Sequence, residues 1–289
     1  MLLFAGLSNI PLAENIAHHL NLSLSNTHIG QFPDSETMIE ILSDVMHQPV
    51  VIIQSLSNPT NHHLMELLLL ANTLQQKGAS PITAVIPYCA YARQEKMAFL
   101  AALVKSAGIE KILTLTYHHP KSCHDLKISL QLLETTELFA IDIIKRSIDN
   151  PVIISPDLGG IERAKTVHHY LKTTNFITLN KKEDLNTQAE NLNLRKILNK
   201  RNCIIIDDIV DTAKTLCQTV TLLKNHGAEQ VHAYITHGIL SQNALSTITK
   251  MDIETLTLTN SLVLSPEITE NPKIRVLNVA PLLAKALLL

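Results

Sequence analysis

Short β-branched runs alternate with amphipathic helical stretches along this chain, and that alternation restricts the fold more than any other feature. Stretches 50–54, 82–86 and 111–115 read as strands in the first half, with helices over 61–77 and about 98–108 between them. Gly78 and Gly108 are placed to end those helices. The second half repeats the plan, with strands at 152–154, 176–179, 203–206 and 231–235 and helices near 160–172 and 212–226, the latter ended by Gly227. Such alternation implies parallel sheets with right-handed crossovers. A chain of 289 residues exceeds one typical domain, so two similar α/β halves, 1–145 and 146–289, are expected, joined near 145–150. Within the helix over 61–77, Leu64, Leu67, Leu68, Ala71 and Leu74 share a face and are expected to be core.

Composition removes several function classes. Hydrophobic residues make up 46% and charged residues 17%, enough apolar material for two buried cores. A formal charge of -2 argues against a nucleic-acid partner held by electrostatics. The four cysteines, Cys89, Cys123, Cys203 and Cys217, form no CxxC pair, which fits reduced thiols in a cytoplasmic protein, and Cys203 and Cys217 read as core packing. The start MLLFAGLSNIPL carries no basic leader and is expected to run straight into a helix with Pro11 in its first turn. No apolar run is long enough to span a bilayer, so no membrane partner is expected. The apolar stretch around Lys285 reads as a packing helix suited to a subunit contact.

The chemistry concentrates in CIIIDDIVDTAKTL, residues 203–216. An apolar run ends in Asp207 and Asp208, then Asp211, Thr212, Ala213, Lys214 and Thr215 lead into a helix with Leu216, Val220 and Leu223 on one side. A buried strand, a loop at its carboxyl end and a helix N-terminus form the place where open α/β sheets bind ligands. Free N–H groups at the helix start suit a phosphate, and paired carboxylates suit sugar hydroxyls, so the segment describes a site for a phosphorylated ribose. Helix capping by Asp211 and Thr212 is the plainer alternative.

Three further segments carry candidate residues. Neither GxxxxGK[ST] nor GxGxxG occurs, so any ATP is held in another way. QFPDSE places Phe32, Asp34 and Glu36 after Gly30 and reads as a turn or, because aromatics are scarce, as a base-stacking face. IPYCAYARQEK puts Arg93, Gln94 and Lys96 past a strand end, where an arginine can fork phosphate oxygens or simply lie in solvent. In SPDLGGIERA, residues 155–164, Asp157 follows a strand and Gly159-Gly160 permits a tight turn into a helix. Asp157 is a candidate Mg²⁺ ligand, since that ion takes one or two carboxylates plus phosphate oxygens, with capping as the alternative.

These motifs resemble one family in collinear order. DDIVDTAKT resembles the ribose-phosphate loop of type I phosphoribosyltransferases and of ribose-phosphate diphosphokinases, the phosphoribosyl pyrophosphate (PRPP) synthetases. FPDSE resembles the diphosphokinases' FPDGE, YARQE their YARQD, SPDLGGIERA their SPDxGGxxRA, and Thr236-His237-Gly238 also matches, with a structural role implied. The resemblance implies two tandem phosphoribosyltransferase-type domains, each a mostly parallel sheet flanked by helices. It implies ATP contacts at Phe32, Asp34, Glu36, Arg93 and Gln94, ribose 5-phosphate contacts at Asp207, Asp208 and 211–215, and Mg²⁺ at His118 and Asp157. The implied reaction is attack of the ribose C1 hydroxyl on the β-phosphorus of Mg-ATP, with AMP leaving. It further implies a homo-oligomer, commonly a hexamer, or a hetero-oligomer with a paralogue.

The chain departs from the family pattern at several points. The family's strand-end aspartate is Thr116, leaving His118 as the metal-site histidine. The nucleotide loop keeps its lysine as Lys181 but has Glu183 at the arginine position, with Lys182 placed to compensate. The segment after Gln94 is short, and two loop glycines are Ala213 and Lys214, where a Cβ at positive φ carries a cost. Three readings follow: an active ribose-phosphate diphosphokinase, which is favoured; a catalytically impaired regulatory or scaffolding relative; and a phosphoribosyltransferase using PRPP, which has no need of an ATP face.

Overall fold

A computed structural model describes residues 1–91, 96–116, 126–172, 175–179 and 188–289. Two compact units emerge. The first comprises Met1–Leu133, Asn260–Val263 and Asn278–Leu289; the second comprises Glu134–Thr259 and Leu264–Leu277.

The first unit opens with β1 (Leu2–Ala5), ahead of the expected helix. Helix α1 (Ile10–His19) then starts where predicted, with Pro11 in its first turn and the Asn9 side chain accepting from the Leu12 N–H at 3.2 Å. A hairpin of β2 (Thr27–Gln31) and β3 (Thr37–Ile41) follows, paired antiparallel. After it come β4 (Val50–Ile53), α2 (Thr60–Gln76), β5 (Ile82–Ile86), α3 (Met97–Ser106), β6 (Lys111–Leu115) and β7 (Ser129–Leu133). The main sheet is parallel throughout, in the order β1-β4-β5-β6-β7. Strand β4 is buried along its whole length, as a strand covered on both faces must be.

On α2 the buried face lies beside the one expected from the leucines. Leu67, Ala71 and Leu74 are buried, but Leu64 and Leu68 are only partly so, while Leu70 and two polar residues, His63 and Glu66, take the inner positions. Hydrogen bonds explain the rotation. Glu66 Oε1 accepts from the Leu7 N–H and from Gln54 Nε2, both at 2.7 Å, and His63 Nδ1 lies 2.9 Å from the Ser57 carbonyl. Buried polar groups with such partners are tolerated.

The second unit contains α4 (Thr136–Lys145), β8 (Val152–Ser155), α5 (Ile161–Leu171), β9 (Phe176–Thr178), α6 (Gln188–Leu198), β10 (Cys203–Val210), α7 (Lys214–Asn225), β11 (Val231–Gly238), α8 (Ala244–Lys250), β12 (Thr255–Thr259), α9 (Pro266–Thr269) and β13 (Ile274–Leu277). Its sheet is also parallel, in the order β13-β12-β11-β10-β8-β9. Helix α7 buries Leu216, Thr219, Val220 and Leu223, the 3–4 spacing of one helical face. Finally α10 (Ala280–Leu287), the predicted packing helix around Lys285, lies against α1 in the first unit.

Gly78, Gly108 and Gly227 all follow helices with φ between +84° and +101°, as expected of glycines that end helices. Cys89 and Cys203 are buried free thiols, and burial pushes Cys203 up to about 12, so it is an unreactive core residue. Cys217 is only half-buried, and Cys123 lies outside the described residues. Among the described residues no helix is long and apolar enough to cross a membrane.

Candidate active site

In the second unit the chain passes from β8 out to the edge strand β9 and then returns to the other side of β8 as β10. That reversal opens a crevice at the carboxyl ends of β8 and β10, the standard ligand position in an open α/β sheet. Asp157 follows β8 and Asp207-Asp208 lie near the end of β10. Among the described residues, the strands of the first unit's main sheet follow one another in sequence order without such a reversal.

The carboxylate pair does not end its strand, as the apolar run implied. Strand β10 continues to Val210, pairing Asp207 with Ile235, Ile209 with His237 and Val210 with Gly238 of β11. β8 stops at Ser155, so the acids project where β10 has outrun its neighbour. Arg163 in the first turn of α5 makes this possible. Its Nη2 lies 3.2 Å from Asp208 Oδ1 and 3.5 Å from Asp207 Oδ1. Asp207 Oδ1 also accepts the Asp208 N–H at 2.9 Å. Burial, and secondly the Asp208 carboxylate, push Asp207 up to about 8, and Arg163 offsets only part of this. The direction is that of two close buried carboxylates, which favour retaining a proton more than isolated acids do. Arg163 was not singled out from the sequence, although the SPDLGGIERA stretch contains it; an arginine three residues past Gly160 is the usable signal. Gly160 itself is required by proximity, since a Cβ there would stand 2.9 Å from Ser155 Oγ.

Beyond β10, residues 211–213 form a short loop leading into α7, whose first two residues are Lys214 and Thr215. The N-cap is Ala213, which has no capping side chain, so Asp211 and Thr212 are not the helix cap. The first-turn N–H groups of this twelve-residue helix thus point out of the loop without a side-chain cap, an arrangement suited to a phosphate. Ala213 has φ 60° and ψ 7°, the left-handed region that favours glycine, so the cost anticipated for a Cβ is real here. Lys214 and Thr215 are exposed at the helix start, Thr212 is half-buried, and Asp211 Oδ1 accepts from Ser241 Oγ.

Asp157 caps a single 3₁₀ turn, accepting from the Gly159 and Gly160 N–H groups at 3.0 and 3.1 Å, both on Oδ1. No set of three or more His, Cys, Asp or Glu among the described residues is arranged to cage a metal ion. A hard cation held by one carboxylate and completed by substrate oxygens is the form these residues fit.

In the first unit, Phe32, Asp34 and Glu36 occupy the β2–β3 hairpin turn and all are exposed. The Phe32 N–H donates to the Glu36 carbonyl at 2.9 Å, and Asp34 Oδ1 accepts the Glu36 N–H at 3.1 Å. Ser35, at the glycine position of FPDGE, has φ 72°. Arg93, Gln94, His118, Lys181 and Lys182 lie outside the described residues.

Comparison with known proteins agrees with this architecture. Residues 1–115 match the N-terminal domain of ribose phosphate pyrophosphokinase, and residues 126–260 match the phosphoribosyl transferase domain. A ribose-phosphate pyrophosphokinase of Chromobacterium violaceum is 36% identical over 99% of this chain and 90% of its own length. Its counterpart in Mesorhizobium japonicum is 35% identical over 99% and 96%. The crystal structure of phosphoribosylpyrophosphate synthetase from Mycobacterium smegmatis superposes with a TM-score of 0.90 at 26% identity, covering 99% of this chain and 96% of that one. With its two halves matched in order and its relatives aligned over at least 90% of their length, the chain belongs to the ribose-phosphate pyrophosphokinase family.

Proposed function

We propose that this chain is a ribose-phosphate diphosphokinase, moving the diphosphoryl group of Mg-ATP to the C1 hydroxyl of ribose 5-phosphate and yielding PRPP and AMP. The observation that carries the reading is the second unit's crevice, where a carboxylate pair on the end of β10 and the uncapped start of α7 are joined by one short loop. The α7 N–H groups and Lys214 bind the 5-phosphate, with Thr212 and Thr215 as hydroxyl donors. Asp207, Asp208 and Asp211 orient the ribose by accepting from its hydroxyls, and Arg163 holds the first two in place. Fixing the acceptor in this way supplies rate through positioning.

Residues 1–145 form the ATP side and 146–289 the ribose side in this reading. Phe32 stacks the base, Asp34 and Glu36 take nucleotide hydroxyl or amine donors, and Arg93 and Gln94 bind phosphate oxygens. Mg²⁺, held by Asp157 and His118 together with substrate oxygens, neutralises triphosphate charge when bound. Lys181 and Lys182 place positive charge on the transferring group, with Lys182 compensating for Glu183. The protein acts in the cytoplasm as a homo-oligomer of the hexameric kind or together with a paralogue, which light scattering resolves.

The test is AMP release from Mg²⁺, ATP and ribose 5-phosphate, with Lys181→Ala as control. Formation that depends on ribose 5-phosphate and is lost in the variant supports the assignment. AMP formation that persists unchanged without the sugar phosphate contradicts it.

A further inference from the structure

The loop between β11 and α8 contributes a group to the ribose-phosphate site that no family motif quoted above contains. Its backbone is pinned to the end of β10, because the Ile239 and Leu240 N–H groups both donate to the Val210 carbonyl, at 2.9 and 3.3 Å. Ser241 follows at once and donates its hydroxyl proton to Asp211 Oδ1, thirty residues away in sequence. Leu240 and Gln242, on either side of Ser241, have φ 51° and 56°. Two departures of this kind flanking one residue store strain, which persists only where the surroundings impose it. Leu240 supplies the anchor, its side chain buried in the core cluster that also contains Val210 and Ala213. The Ser241 carbonyl in turn accepts the Ala244 N–H at 3.2 Å and so starts α8.

We propose that Ser241 is a positioning residue for Asp211, holding that carboxylate in the orientation needed to receive a ribose hydroxyl. The inference rests on the ribose 5-phosphate reading of the loop. A carboxylate has about four acceptor sites, so the bond from Ser241 to Oδ1 can restrain its rotamer without occupying all of its acceptor capacity. A serine that only shaped its own turn would not need to reach the acid of a different loop.

The experiment titrates ribose 5-phosphate calorimetrically into the full chain and into Ser241→Ala and Ser241→Thr, and measures steady-state kinetics at saturating Mg-ATP. Ser241→Ala is expected to weaken ribose 5-phosphate binding and raise its KM about tenfold, the loss typical of one hydrogen bond to a charged group. kcat should stay within about twofold, because the bond acts on substrate placement and not on the transferring group. Ser241→Thr, which keeps the hydroxyl, should restore most of the affinity. Retained binding and KM in a folded Ser241→Ala overturn the proposal, as does a loss confined to kcat or one that threonine fails to rescue. If the wild-type chain itself does not bind ribose 5-phosphate, the underlying reading and this inference fail together, a result distinct from failure in the variant alone.

Discussion

Replacing Asp207 by asparagine should stabilise the folded chain at pH 8 while weakening its sugar-phosphate site. Asp207 is raised from an ordinary 3.8 to about 8, with burial the larger cause and Asp208 the next. Across that window the unfolded chain ionises the carboxyl while the folded chain keeps its proton. The folded state therefore binds more protons, and stability falls as pH rises from about 4 to about 8. Each pH unit costs ~1.4 kcal/mol. Shared protonation with Asp208 and the 17% exposure of the Asp207 side chain reduce the total to about 2–4 kcal/mol at pH 8. Asparagine retains the acceptor for the Asp208 N–H, so the backbone bond at 2.9 Å survives. Urea unfolding of both proteins at several pH values between 4 and 8 measures the difference. The wild type should lose stability with rising pH relative to Asp207→Asn, the two meeting near pH 4, and the variant should bind ribose 5-phosphate poorly. Parallel stability curves, or a wild type that is the more stable at pH 8, would refute the reasoning.

Other outcomes follow from the same geometry. Ser35→Gly should raise the melting temperature slightly, by about 1–2 °C, because relief of a left-handed φ of 72° at an exposed turn (~1 kcal/mol) exceeds glycine's entropic cost. Ala213→Gly should gain nothing in a thermal melt, since it also removes a buried methyl, about 0.8 kcal/mol. Gly160→Ala should lower the melting temperature and weaken the Asp207-Asp208 site, because its Cβ would press on Ser155 Oγ at 2.9 Å next to Arg163. Cys203 should resist thiol alkylation in the native state, followed by mass spectrometry, and react only on unfolding.

Much of this fold was legible in the residues, for identifiable reasons. Strand β4 is a continuous β-branched run, the first half of β10 is Cys203 followed by three isoleucines, and α7 has its apolar residues at helical spacing before a glycine that takes positive φ. The strand under the two aspartates was not legible. Aspartate disfavours strands locally, and here parallel pairing with β11 and the Arg163 guanidinium outweigh that tendency. The hairpin strands β2 and β3 escaped notice because Thr27–Gln31 is half exposed and lacks clean apolar alternation. The inner face of α2 was misplaced by counting leucines, since hydrogen bonding to Leu7, Gln54 and Ser57 carries Glu66 and His63 inward. Within the site, the paired acids and the phosphate loop were readable because their chemistry is contiguous in sequence. Arg163 and Ser241 were not, because each meets its partner only through the fold.

The most direct test of the central claim is phosphorus NMR of the products formed from Mg-ATP and ribose 5-phosphate. Diphosphoryl transfer predicts AMP and a new diphosphate carried on the ribose C1 oxygen in equal amounts, with no ADP. ADP with a monophosphorylated sugar, or unchanged substrates from a folded chain, would contradict it.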